Sequence, residues 1–184
     1  MKRAVFIERD GVLNLPKVEG KFQIAPRTVA ELNINRAAVE PLKKLHEAGF
    51  ILIATTNQPG ISRGYINRRE IDLMHLMLMK AFPLNDIMMC PHDEADRCPC
   101  RKPRPGLFCE AAFKWQLLLD HSFVISDKWQ DAKAAQNAGC TSLLIDSPWN
   151  GSGHHDFIVQ NCEIATARIL QLQQASAFSY AGSP

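Results

Sequence analysis

Residues 4–14 read AVFIERDGVLN. A short apolar run meets a carboxylate, Glu8, and then a polar turn holding Asp10 and Gly11. An uninterrupted run of this length predicts a strand buried on both faces, the kind found in parallel sheets. The pattern returns at 50–55 (FILIAT), 86–90 (DIMMC), 122–126 (SFVIS) and 141–145 (TSLLI). Helical spacing fills the gaps. Residues 36–48 set Val39, Leu42, Leu45 and Ala48 on one face, with Pro41 near the first turn and Gly49 as the stop. Residues 68–82 put Ile71, Met74, Leu78 and Phe82 in phase, and the methionines of this helix read as core filler. Further helices are predicted at 106–119, 129–138 and 162–173. Strand and helix alternate throughout, which predicts an α/β fold: a three-layer α/β/α, Rossmann-like arrangement with a mostly parallel central sheet. Residues 1–175 are expected to form one domain and 176–184 a flexible tail.

The balance of 46% hydrophobic and 22% charged residues is that of a soluble globular chain. The formal charge of +2 is spread without a basic tail or helix, so no nucleic-acid partner is expected. The sequence has no apolar run of membrane-spanning length, and the apolar start is too short for a signal-peptide core. The expectation is a cytoplasmic monomer with no membrane partner.

Polar groups cluster at or just after the ends of the predicted strands: Glu8 and Asp10, Thr56 to Gln58, Arg101 and Lys102, Asp127 and Asp131. In a parallel sheet these positions share one edge, where ligands of such folds bind. Carboxylates beside a lysine and a hydroxyl suit a hard cation and a phosphate: the acids hold Mg²⁺ and the lysine holds phosphoryl oxygens.

Cys90-Pro-His92, then five residues, then Cys98-Pro-Cys100 supply four soft ligands. This set fits a closed tetrahedral zinc site, structural rather than catalytic. The surrounding loop holds Asp93, Glu94, Asp96 and Arg97, with little apolar surface to fold it. A metal worth roughly 10–16 kcal/mol apparent would order it and fix Arg101 and Lys102, which follow at once.

Four segments together resemble the haloacid-dehalogenase (HAD) phosphatases: VFIERDGVLN, TTNQPGISRG, CRKPRPG and SDKWQD, in that order. With the Cys/His loop they look like the branch acting on heptose bisphosphates and histidinol phosphate. The resemblance implies an Mg²⁺-dependent phosphatase of a small phosphorylated metabolite, working through an acyl-phosphate, with structural zinc and no cap domain. By position, Glu8 falls on the nucleophile and Asp10 on the general acid/base. Thr56 and Lys102 fall on the groups holding the phosphoryl, and Asn57, Gln58, Arg63 and Arg101 near the substrate. Glu8, the Asp10 carbonyl and Asp127 fall on the Mg²⁺ ligands, supported by Lys128 and Asp131. Cys90, His92, Cys98 and Cys100 are the zinc ligands. The five-residue spacer looks more like the histidinol-phosphate enzymes. A heptose bisphosphate is the first substrate expected and histidinol phosphate the second.

One departure bears on the chemistry. The family has Asp where this chain has Glu8. The carboxylate sits one methylene further out, and a shift of ~1 Å at a reacting atom costs on the order of 10²-fold in rate. The sequence thus allows an enzyme slowed or trapped at this step, or a phosphometabolite-binding protein on the same fold. Ser126 replaces the usual glycine and Pro59 a small residue of the substrate loop. His154 and His155 read as an exposed loop, the three tryptophans as core or rim, and Glu70 and Asp72 as a solvated helix face.

Overall fold

The structure, a computed structural model, describes residues 2–20, 22–150 and 153–181, with 176–181 described by backbone alone. Its main sheet is built from β1 (Ala4–Glu8), β4 (Ile51–Asn57), β5 (Asp86–Cys90), β6 (Phe123–Ser126), β7 (Thr141–Ile145) and β8 (Phe157–Val159). The spatial order is β5-β4-β1-β6-β7-β8, and every neighbouring pair is parallel. The expected parallel α/β/α architecture is therefore present. β1 lies inside the sheet, and the strand order reverses on either side of it, which is where such sheets open a crevice.

The alternation of β1 explains the layers. Val5 and Ile7 pack with Leu42, Leu45 and Ile169, from helices α1 (Val39–Glu47) and α5 (Cys162–Ala181). Ala4 and Phe6 face the other way, toward Leu107, Phe108 and Ala134 of α3 (Gly106–Trp115) and α4 (Trp129–Ala138). Phe6 meets Phe108 edge to face, 4.7 Å between centroids. α2 (Arg68–Ala81) begins at Asn67, whose side chain accepts the Arg69 N–H.

Several boundaries differ from the sequence expectation. α3 stops at Trp115 because Gln116 turns left-handed, at φ 55°. α5 continues past residue 173 to Ala181, and residues 182–184 of the expected tail lie outside the described residues. The polar stretch after β1 contains an antiparallel hairpin, β2 (Lys17–Glu19) and β3 (Phe22–Ile24). Of the α2 methionines only Met74 is a core residue, while Met77 and Met79 are exposed. Glu70 is not simply solvated: its carboxylate accepts the Val29 N–H. Among the described residues, no helix is long and apolar enough to cross a membrane.

Candidate active site

Glu8 ends β1 and is buried. The Lys102 ammonium reaches it from the segment after the Cys/His loop and contacts its Oε2. The same ammonium donates to Asp131 Oδ1 at 2.5 Å, with Thr55 O at 3.3 Å and Thr55 Oγ1 at 3.4 Å. Two carboxylates thus share one buried cation. Burial, then Asp131, push Glu8 up to about 8, against the pull of Lys102 and Lys128. Burial pulls Lys102 down, but Asp131 and Glu8 outweigh it and hold the amine above its ordinary range.

Asp10 lies just beyond, in the turn after β1. Arg9, fully buried, grips it with two prongs, Nη2 to Oδ2 at 2.7 Å and Nε to Oδ1 at 3.2 Å. Asn14 and Gln58 donate to the same carboxylate at 2.9 and 3.0 Å. Burial pushes Asp10 up, but Arg9 and then Lys128 and Asn14 outweigh it, leaving the carboxyl below its ordinary range. The turn passes through Gly11, at φ +116°, where a Cβ would stand 2.3 Å from the Asp127 carboxylate. Only glycine permits this approach.

Asp127 follows β6. Trp149 Nε1 and Gln23 Nε2 donate to its Oδ2 at 2.7 and 2.5 Å. Its backbone oxygen accepts from Ser147 and Asn150. The Lys128 ammonium lies 2.8 Å from Asp127 Oδ1 and contacts the carbonyl oxygen of Asp10. Burial draws the Lys128 pKa down, but Glu8, Asp127 and Asp131 hold it up. One cationic centre thus gathers the Asp10 carbonyl and the Asp127 carboxylate beside Glu8. These are hard oxygen donors of the kind that bind Mg²⁺, which takes one or two carboxylates and keeps the rest of its shell for water and phosphate.

These groups surround a cavity of about 220 Å³ lined by Glu8, Asp10, Gln23, Asn57, Arg101 and Lys128, among others. The four strand-end clusters meet at one edge. Their members do different jobs there. Asn57 clamps the Lys102 backbone, donating to its carbonyl at 3.0 Å and accepting its N–H at 3.1 Å. Gln58 is buried and donates to Thr56 Oγ1 at 2.7 Å, so these two back the site rather than line the cavity. Arg101 lines it, with Nε 3.1 Å from Glu94 and Nη1 3.3 Å from the His92 carbonyl. Arg63 lies off the cavity in a two-pronged pair with Asp93, 2.6 and 2.7 Å.

Sequence reasoning missed Thr55, Asn14, Gln23 and Trp149. Thr55 was legible in principle: it pairs with Glu8 across the sheet. Gln23 and Trp149 come from a hairpin and a loop whose approach to Asp127 carries no spacing signal.

Cys90 ends β5, and His92, Cys98 and Cys100 fold back toward it. Their ligand atoms all lie within 4.8 Å of one another. Neighbouring separations are 3.6 Å (Cys90–Cys98), 3.4 Å (Cys98–Cys100), 3.3 Å (His92–Cys100) and 3.7 Å (Cys90–His92). A tetrahedron with ~2.3 Å metal–sulfur bonds has edges of about 3.8 Å, so the set fits zinc. The loop is tied down beyond it: Gly106 donates to the Pro99 carbonyl, and a Cβ there would stand 2.4 Å from that oxygen.

Residues 99–156 match the HAD-hydrolase-like family. The D-glycero-beta-D-manno-heptose-1,7-bisphosphate 7-phosphatase of Helicobacter pylori is 33% identical over 156 residues, covering 79% of this chain and 86% of that one. The histidine biosynthesis bifunctional protein HisB of Legionella pneumophila is 30% identical over 150 residues, 79% of this chain and 42% of that one. The crystal structure of D,D-heptose 1,7-bisphosphate phosphatase from B. bronchiseptica, complexed with magnesium and phosphate, superposes with a TM-score of 0.78 at 25% identity. It covers 94% of this chain and 99% of that one.

Proposed function

Since the chain belongs to the HAD-like hydrolases, we propose that it is an Mg²⁺-dependent phosphatase that removes the 7-phosphate of D-glycero-β-D-manno-heptose 1,7-bisphosphate. The observation that carries this reading is the buried Glu8–Lys102–Asp131 cluster, opening with Asp10 and Lys128 on one cavity, with Asp127 held against Lys128.

In this reading a cation bound beside Glu8 would offset the burial and the Asp131 charge that raise its pKa, and the ionised Glu8 carboxylate attacks phosphorus while the bond to the sugar oxygen breaks, leaving an acyl-phosphate on Glu8. Asp10 gives its proton to the departing oxygen. The incoming phosphate is a like charge beside Asp10 and favours its protonated form. Water then attacks the acyl-phosphate, Asp10 takes its proton, and inorganic phosphate leaves with Glu8 restored. The lowered pKa of Asp10 keeps it ionised and able to accept that proton, at a cost in basicity. Lys102 holds the phosphoryl oxygens, and Thr56, expected beside it, stands behind the cavity wall on Gln58. Glu8, the Asp10 carbonyl and Asp127 would hold Mg²⁺, whose charge lets an anionic carboxylate approach an anionic phosphate. Zinc on Cys90, His92, Cys98 and Cys100 orders the loop that delivers Arg101 and Lys102.

Glu8 makes this a slow version of the reaction, because its longer arm moves the attacking oxygen. The test is phosphate release with Mg²⁺, comparing this chain with Glu8→Asp on the heptose bisphosphate. An increase on the order of 10²-fold for Glu8→Asp is expected. Release by neither chain would leave a protein that binds the metabolite without hydrolysing it. A second reading, histidinol phosphate, is favoured by the five-residue spacer between His92 and Cys98 and by the similarity to HisB. Including that compound in the assay separates the two.

A further inference from the structure

Behind Asp10 stand two side chains that exchange no proton in the reaction, Arg9 and His75. Arg9 is fully buried. Its backbone is pinned: its N–H donates to the Thr55 carbonyl at 3.2 Å, and its own carbonyl accepts from Leu13 and Asn14 at 3.1 and 2.8 Å. The guanidinium is a rigid triangle of nitrogens. Two corners, Nε and Nη2, fork onto the Asp10 carboxylate. The third, Nη1, stands 3.4 Å from Nε2 of His75. Among the described residues Asp10 is the one carboxylate paired with Arg9. Whatever turns the guanidinium therefore turns Asp10 with it.

His75 belongs to α2, between its buried residues Met74 and Leu78 and the exposed Leu76. It also lines an outer groove of about 430 Å³ with Asp72, Met79, Asp86 and Ile87. Arginine has only donors, so the contact requires a bare nitrogen at Nε2, and the neutral ring then carries its proton on Nδ1. Burial and Arg9 keep the ring neutral, with its pKa lowered to about 4. An apolar residue at this position would leave Nη1 buried without its acceptor. The guanidinium would then be free to swing on its fork. A general acid works only where it reaches the departing oxygen, and a shift of ~1 Å at a reacting atom costs on the order of 10²-fold.

We propose that His75 is a positioning residue for the reaction: by accepting from Arg9 Nη1 it fixes the guanidinium fork, which holds the Asp10 carboxylate where it can protonate the leaving oxygen. This rests on the phosphatase reading of the Glu8 cavity. His75 then matters most for a substrate with a poor leaving oxygen, such as a sugar alkoxide. It matters least for an aryl phosphate, whose phenolate departs without a proton.

Two measurements on the full chain test it. Nitrogen NMR of the His75 ring at neutral pH is expected to show Nδ1 protonated and Nε2 bare. A proton on Nε2 removes the acceptor and overturns the proposal whatever the kinetics. Phosphate release is then compared on the heptose bisphosphate and on p-nitrophenyl phosphate through kcat/KM, which covers the steps up to departure of the leaving group. His75→Leu is expected to lower it about tenfold or more on the sugar phosphate, with little change on the aryl one. His75→Gln, whose amide oxygen reaches as far as Nε2, is expected to recover most of that loss. His75→Asn, one methylene shorter, is expected to behave as His75→Leu and stands in for it if the leucine variant does not fold. Equal losses on both substrates, or a glutamine variant no better than the asparagine one, would make His75 a packing residue. That overturns the proposal and leaves the phosphatase reading intact. Release from neither substrate by the unmodified chain overturns both.

Discussion

The Lys102 ammonium and the Asp131 carboxylate lie 2.5 Å apart with both side chains 1% exposed. The second Asp131 oxygen is buried without a hydrogen-bond partner among the described residues. Removing Asp131 breaks a buried charge-assisted hydrogen bond but leaves Lys102 on Glu8, a cost of about 1.5–3 kcal/mol. Asp131→Ala is expected to lose that much in urea unfolding, and Asp131→Asn less, because the amide still accepts from Lys102. A loss below about 1 kcal/mol would mean that water screens the pair as it does at a surface.

Gly11 lies against the Asp127 carboxylate with no room for a methyl group. Gly11→Ala combines an unfavourable φ of +116° with a Cβ 2.3 Å from the Asp127 carboxylate. Destabilisation of roughly 1–3 kcal/mol is expected from the backbone alone, with weaker Mg²⁺ binding because Asp127 must move. Thermal unfolding with and without Mg²⁺ reads both effects. A variant with unchanged stability and unchanged Mg²⁺ response would show that the turn is looser than described.

The Cys/His cluster predicts one zinc per chain, measurable by elemental analysis. Cys98→Ser, or a strong chelator, should release it and lower the melting temperature. Phosphate release should fall with it, because the loop feeds directly into Lys102. A chain that binds no zinc, or that loses zinc without loss of stability, contradicts the structural role.

His75 gives a pH dependence whose sign is fixed by its surroundings. Burial and the Arg9 guanidinium, 3.4 Å from the ring, lower its pKa from 6.5 to about 4. Between these values the unfolded chain binds the extra proton and the folded chain does not. The contribution of the neutral ring is therefore full above pH 6.5 and lost as pH falls to 4, on the order of 3 kcal/mol. Subtracting the stability–pH curve of His75→Gln from that of the unmodified chain should expose this slope. A flat difference would place His75 in water.

The strands other than β8 were legible because each carries an apolar run between stretches of helical spacing, and runs of that kind have few other homes. β8 was missed: its three residues carry no period of their own. The strand-end acids were legible as a group, since parallel topology sends all of them to one edge. The division of labour among them was not. Asn57 and Gln58 follow Thr56 without a break, yet Asn57 holds the Lys102 backbone while Gln58 turns inward to Asp10. That split depends on how the chain leaves β4, which no residue type announces. Likewise Arg63 and Arg101 match substrate loops in sequence, but their charges are met by Asp93 and Glu94, whose positions depend on how the Cys/His loop closes.

The place of β1 has a consequence for biosynthesis. It is made first and pairs on one side with β4, which follows by residue 57. Its other side waits for β6, which begins only at Phe123. While the ribosome adds the segment between, one edge of an apolar strand has no hydrogen-bonding neighbour, and Lys102 has no Asp131. An open edge of that kind invites pairing with other chains. The nascent protein is therefore most exposed to aggregation, and most in need of a chaperone, during the stretch of translation between β4 and β6.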